Sequence, residues 1–346
     1  MWRDSVSRRK PAFSLAVGDG LAHDRGPFGS EIGFLLRTFS IKQSVPTARN
    51  MSSQSELLTH PPTRWRRILD FPLVQIVVAI VFIAVPFAIV STPFNLFVTD
   101  KPLRRAGALL LTAVVLGAYW AYVRIIERRT ATELSGTGAA RELALGLALG
   151  ALLFSATIGI LVALGVYQIT GNNGWLIMLA SIPGYILTGV LEETLIRGVV
   201  FRILEKSLGS WLALGISAAI FGVLHLLNPG ATLLNAAAIS IEGGVLLAAA
   251  FMLTHRLWLC IGIHIAWNFT QGGVFSVAVS GGESKGLLQS RMIGPDWLTG
   301  GKFGAEASVI ALVVCAAAGI ALIVLAIKKG NVVRPFWAIA STKPPA

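Results

Sequence analysis

Three stretches of this sequence set polar, chemically capable side chains inside apolar runs: LEETLIR (191–197), FGVLHLLNP (221–229) and GIHIAWNFTQGG (262–273). An ionisable group at the centre of a membrane span costs about 2.5–3.5 kcal/mol on insertion scales, so such groups mark function, pairing or a wet cavity. In the first stretch Glu193 and Arg197 are four residues apart and share a helical face, so they can pair. Arg197 stays charged at any relevant pH. Glu192 points about 100° away from Glu193, which leaves one carboxylate unpaired and free to act. In the third stretch His264, Asn268 and Gln271 fall at helical spacing and form one polar stripe, and His225 stands alone in the second. Each group also has a structural reading: an ion pair for the first, a packed histidine for the second, interhelical hydrogen bonds for the third.

Taken together, one carboxylate, two imidazoles and an amide are the parts for activating water and stabilising an oxyanion. A Glu partly withdrawn from water serves as a general base. A His polarises water, holds a metal or donates a hydrogen bond, and an Asn amide donates to a tetrahedral intermediate. The chemistry this implies is hydrolysis of a peptide bond.

The elements that must position these residues are membrane helices. The chain has 346 residues, of which 54% are hydrophobic and 13% charged, against roughly 25% charged in a soluble domain. The net charge of +12 does not indicate nucleic acid, because Lys and Arg sit at the ends of apolar runs rather than on one soluble face. Cys260 and Cys315 lie in apolar runs and imply neither a disulfide framework nor a Cys-based metal site. Eight apolar segments are expected as spans, near 71–92, 106–125, 143–168, 175–205, 210–228, 232–254, 257–279 and 307–327, most near the ~20 residues that cross ~30 Å of hydrocarbon. Backbone groups in lipid must be satisfied within each segment, so the fold class is an all-α polytopic membrane helix bundle of about eight transmembrane helices. No internal repeat supports a transporter built of inverted halves.

Residues 1–68 are basic, polar and aperiodic and read as a disordered cytoplasmic segment. Met51 opens MSSQSELLTH, an alternative start that would make residues 1–50 an extension. The transmembrane domain is expected over 69–330, followed by a short tail, 331–346. RWRR precedes the first segment, Arg124, Arg128, Arg129 and Arg141 flank the second connection, Arg202 and Lys206 the fourth, and Lys328 and Lys329 open the tail. The third and fifth connections, QITGNNG and LLNPGAT, carry no Lys or Arg. Even connections and both termini are therefore expected on the cytoplasmic side, in the plasma membrane if the source is bacterial. Lys101, Arg104 and Arg105 in the first connection, and Lys285, Arg291 and Lys302 in the seventh, depart from this pattern. At 1.5 Å per residue, Glu192 lies ~21 Å from the cytoplasmic end, His225 ~22 Å, and His264 and Asn268 ~10 and ~16 Å, depths compatible with one shared cavity.

In chain order EETLIR fits an EExxxR motif, FGVLH an FxxxH motif and HIAWN an HxxxN motif. With these the chain resembles the CAAX-protease and bacteriocin-processing family of intramembrane proteases, which includes the type II CAAX prenyl endopeptidase. The resemblance covers roughly 175–280, or to about 310 if LTGGKFGAEAS is included; residues 1–140 contribute nothing to it. It implies that Glu192 and His225 activate the water, that His264 and Asn268 stabilise the oxyanion, and that Glu193 and Arg197 brace the site. Family members are described both as metalloproteases and as metal-independent glutamate proteases. No HExxH helix is present, but Glu192, His225 and His264 are a candidate ligand set for a divalent ion such as zinc, with a position open for water. The implied partners are membrane lipid and a membrane protein or peptide substrate, lipidated in the CAAX case. The alternatives are a non-enzymatic immunity or scaffold protein and a proton-coupled transporter. Glu242 in AISIEGGVLL either lines the substrate cavity or hydrogen-bonds a neighbouring helix, the second being the expectation, and Glu306 is expected to be an ordinary charge near a helix N-terminus.

Overall fold

The computed structural model describes residues 64–340. The expected unstructured segment and the alternative start lie outside these residues, except that Arg64–Leu69 form a short helix, α1. Then come α2 (Pro72–Phe97), α3 (Lys101–Ile125), α4 (Ala139–Ala163), strand β1 (Tyr167–Asn172) and α5 (Trp175–Glu193), which continues through a π-helical stretch, Thr194–Phe201, into α6 (Arg202–Leu224). α7 (Leu233–Ile239) passes through a second π stretch, Ser240–Val245, into α8 (Leu246–Thr254). α9 (Leu257–Asn268) ends in a third, Phe269–Val274, and β2 (Leu288–Met292), α10 (Asp296–Thr299), α11 (Val309–Lys328) and α12 (Phe336–Ala340) complete the order.

The polytopic helical fold is as expected. Six helical runs among the described residues are long and apolar enough to cross a bilayer. One of them, Trp175–Leu227, holds 53 residues, ~80 Å of helix, which exceeds twice the hydrocarbon thickness. Gly209 breaks it with φ of 78°, a left-handed conformation that glycine adopts without a Cβ penalty, and so divides it into the two segments read from the sequence. The expected segment at 257–279 is helical only as far as Val274. Residues after it peel away to reach β2, which pairs antiparallel with β1, a small hairpin-like sheet that the apolar pattern did not foreshadow.

Loop contacts sort the connections between the two ends of the bundle. At one end, Arg256 donates to the carbonyls of Ser135 (2.6 Å) and Thr137, Asn331 to that of Leu253, and Ser210 and Val333 exchange two hydrogen bonds. The second, fourth and sixth connections and the tail therefore meet there. Here Arg202 contacts Glu127 at 2.5 Å and Arg129 contacts Glu133 at 2.6 Å. Burial pushes the Glu133 carboxyl up, but the Arg129 hydrogen bond and the Arg202 charge outweigh it and hold it near 2. At the other end the third and seventh connections pair as β1 and β2, and Gly281 of the seventh lies against Pro229 of the fifth.

α9 is the central helix, buried along nearly its whole length. It lies against α4 at a distance only glycine permits. A Cβ on Gly146 or Gly150 would collide with the carbonyls of Leu259 or Ile263, and one on Gly262 would lie 2.9 Å from Gly146 Cα. Small residues four apart let membrane helices approach closely, and this contact fixes α9 just before His264.

Candidate functional site

Glu193 and Arg197 are both fully buried, and Arg197 Nη1 donates to Glu193 Oε1 at 2.9 Å, so the expected pair forms. The second guanidinium nitrogen donates to the carbonyls of Gly243 (2.7 Å) and Gly244 (3.1 Å) in the π stretch after α7, and the guanidinium carbon stands 4.7 Å over the Phe221 ring. One arginine thus ties three helices together. Glu193 Oε1 also accepts from His264 Nδ1 at 2.8 Å. A carboxylate only accepts, so Nδ1 of His264 carries the hydrogen and Nε2 is turned toward Glu192, whose Oε2 lies 3.8 Å away. His264 is therefore hydrogen-bonded to Glu193 and stands beside Glu192 without bonding it.

Glu192 is the more open of the pair, its side chain 31% exposed, and its Oε2 has no hydrogen-bond partner. With His225 and Asn228 it lines an open cleft. His225 Nδ1 lies 2.8 Å from the Phe221 carbonyl. A carbonyl can only accept, so this contact puts the ring hydrogen on Nδ1 and leaves the Nε2 lone pair for another partner. Phe221 and His225 also form part of the wall of a second, smaller cavity, which His264 and Asn268 line. The four residues with compatible depths, Glu192, His225, His264 and Asn268, are thus gathered at two adjoining cavities rather than one, with His225 common to both.

Two expectations change, those for Glu242 and Glu306. Gln271, placed on the polar stripe with His264 and Asn268, sits in the third π stretch and hydrogen-bonds Glu306. It is fully buried and donates to the Ala278 carbonyl at 2.5 Å. Glu242 makes no hydrogen bond to a neighbouring helix. Both its carboxylate oxygens are buried without a partner, and it lines the cavity of His264 and Asn268. Glu306 is not an exposed helix-end charge. It is 3% exposed, lines the same cavity and accepts from the Ser280 backbone (2.5 Å) and hydroxyl (2.9 Å). Burial pushes its carboxyl up, with His225 and Ser280 pulling the other way, while the cap of α11 is Ser308. All three π stretches carry residues of this region (Arg197, Glu242 and Gln271), in keeping with the frequent use of such turns at functional sites. The sequence signal for Glu242 was its cost in an apolar helix; for the α4–α9 contact it was the unread GxxxG of Gly146 and Gly150.

Among the described residues no group of three or more His, Cys, Asp or Glu is gathered closely enough to hold a metal ion. In particular His264 presents Nδ1 to Glu193 and only Nε2 toward Glu192. The candidate set Glu192, His225 and His264 is not gathered as a ligand set in this arrangement.

No curated protein and no solved structure matches the chain. Residues 173–270, the stretch that carries EETLIR, FGVLH and HIAWN, match the family model described as "Type II CAAX prenyl endopeptidase Rce1-like", in agreement with the family those motifs resemble.

Proposed function

We propose that this integral membrane protein is an endopeptidase that hydrolyses a peptide bond of a membrane-associated protein or peptide, in the manner of CAAX processing. The observation that carries the reading is the pairing of an unpartnered carboxylate oxygen on Glu192 with a histidine, His225, whose Nδ1 is committed to a carbonyl, in one cavity at membrane depth. The family match over 173–270 supports it independently. A water held between Glu192 and the Nε2 lone pair of His225 loses a proton to Glu192 as its oxygen attacks the scissile carbonyl carbon. The negative charge that develops on the carbonyl oxygen is met by Asn268 and His264. Because Nδ1–H of His264 is already given to Glu193, its Nε2 can donate to the oxyanion only when the ring carries both hydrogens. The tetrahedral intermediate collapses as Glu192 returns its proton to the departing amine. Glu193 and Arg197 position His264 and do not touch the reacting atoms.

The basic residues at the end of the bundle that holds the second, fourth and sixth connections support placing that end in the cytoplasm. The test is a comparison of membrane proteomes from cells carrying wild-type protein or Glu192→Ala. The expected result is one or more precursors accumulating with the variant. Glu192→Gln is expected to lose cleavage equally, by about 10²–10⁴-fold for loss of a general base. Full function of Glu192→Gln would instead indicate a non-enzymatic scaffold, which needs only shape and hydrogen bonding.

A further inference from the structure

The reaction leaves two carboxylates of the inner cavity unused. Glu242, from the second π stretch, is 3% exposed with both oxygens unpartnered, and Glu306, just ahead of α11, is equally buried with Ser280 as its donor. The described ion pairs include none between either glutamate and a Lys or Arg. The guanidinium beside Gly243 is spent: Arg197 gives one nitrogen to Glu193 and the other to the Gly243 and Gly244 carbonyls. A buried carboxylate is costly unless it is paired; Glu306 has the His225 ring in the same cavity as a partner, whereas Glu242 has none, and two carboxylates in one cavity repel as well. A cation entering the cavity relieves both. The rest of the lining suits the stem of such a group, since Ile239, Leu246 and Leu247 are apolar. Lysine and arginine side chains combine an apolar stem with a charged head in this way.

We propose that Glu242 and Glu306 form a subsite for the cationic side chain of a substrate lysine or arginine, opening on the same cavity as His264 and Asn268. The inference rests on the protease reading only in taking the ligand to be a substrate residue. Two carboxylates on separate elements can clasp a guanidinium or ammonium from two sides, and their distance along the chain makes the clasp a product of the fold.

The test measures binding, so it does not depend on turnover. Full-length protein in an uncharged detergent is titrated calorimetrically with N-acetyl-arginine amide and with its neutral isostere N-acetyl-citrulline amide. The arginine compound is expected to bind at least tenfold more tightly to the wild type and to Glu192→Ala. In the Glu242→Gln/Glu306→Gln double variant the two compounds are expected to bind within twofold of each other. Should the double variant not fold, either single variant is expected to cut the preference at least threefold. Equal binding of the two compounds by the wild type overturns the proposal, as does a preference that survives both substitutions. Displacement of the arginine compound by dihexanoyl phosphatidylethanolamine at lower concentration overturns the assignment to a substrate side chain and gives the pair to a lipid amine. A Glu192→Ala protein that cleaves normally but keeps the cation preference refutes the protease mechanism and leaves the subsite standing.

Discussion

Arg197→Met tests whether the Glu193–Arg197 pair is the brace of the site. The side chain is fully buried, donates three hydrogen bonds (one to Glu193, two to the Gly243 and Gly244 carbonyls) and covers the Phe221 ring. Methionine fills similar space but leaves Glu193 charged, enclosed and without its strongest partner. Breaking a buried pair in this way costs about 3–5 kcal/mol. Adding Glu193→Gln removes the stranded charge while keeping an acceptor for His264 Nδ1. The double variant is therefore expected to be more stable than the sum of the single losses by at least about 2 kcal/mol. Unfolding in mixed micelles, followed by helix signal, reads all four corners of the cycle. Additivity within about 0.5 kcal/mol, the usual result for residues that do not interact, would refute the pairing as an energetic unit. Peptide cleavage gives a second reading: the double variant is expected to regain stability without regaining full rate, since His264 then lies against a neutral amide and no longer against the carboxylate.

Two further outcomes follow from the packing and the charge network. Gly150→Ala and Gly262→Ala each force a Cβ into backbone of the facing helix, with an expected cost of about 1–3 kcal/mol; thermal unfolding checks the cost, and a neutral result for both would deny the close α4–α9 contact. Glu133, held near 2 by Arg129 and Arg202 against burial, has a folded value below its ordinary 4.5. Its contribution is thus complete above pH ~4.5 and is lost as pH falls toward ~2, on the order of 3 kcal/mol in all. Glu133→Gln is expected to flatten unfolding stability across that window, and an unchanged acid limb would contradict it.

Much of the molecule was legible along the chain. Hydrophobic run length alone determined a polytopic helical protein, because a backbone in lipid has few ways to satisfy its hydrogen bonds. The four-residue spacing of Glu193 and Arg197 determined their pairing, since both ends of that contact lie on one helix. Alternating Lys and Arg along the connections agreed with the two loop clusters that the fold forms, because consecutive antiparallel segments must return to the same side. Tertiary structure decided what depends on rotation and distance between helices. Helical periodicity placed Gln271 with His264, but Gln271 falls in a π stretch and its amide is given to the Ala278 carbonyl, and nothing in the spacing of apolar residues marks where one extra residue enters a turn. The sequence could weigh the cost of Glu242 and Glu306 but not their surroundings. Residues 242 and 306 come from different elements, and whether a buried carboxylate meets a donor, a cation or an empty cavity is set by packing among segments far apart in the chain. The same holds for His264, whose place beside Glu192 and Glu193 needs α9 close to α5, where a Cβ on Gly189 would run into Ile265.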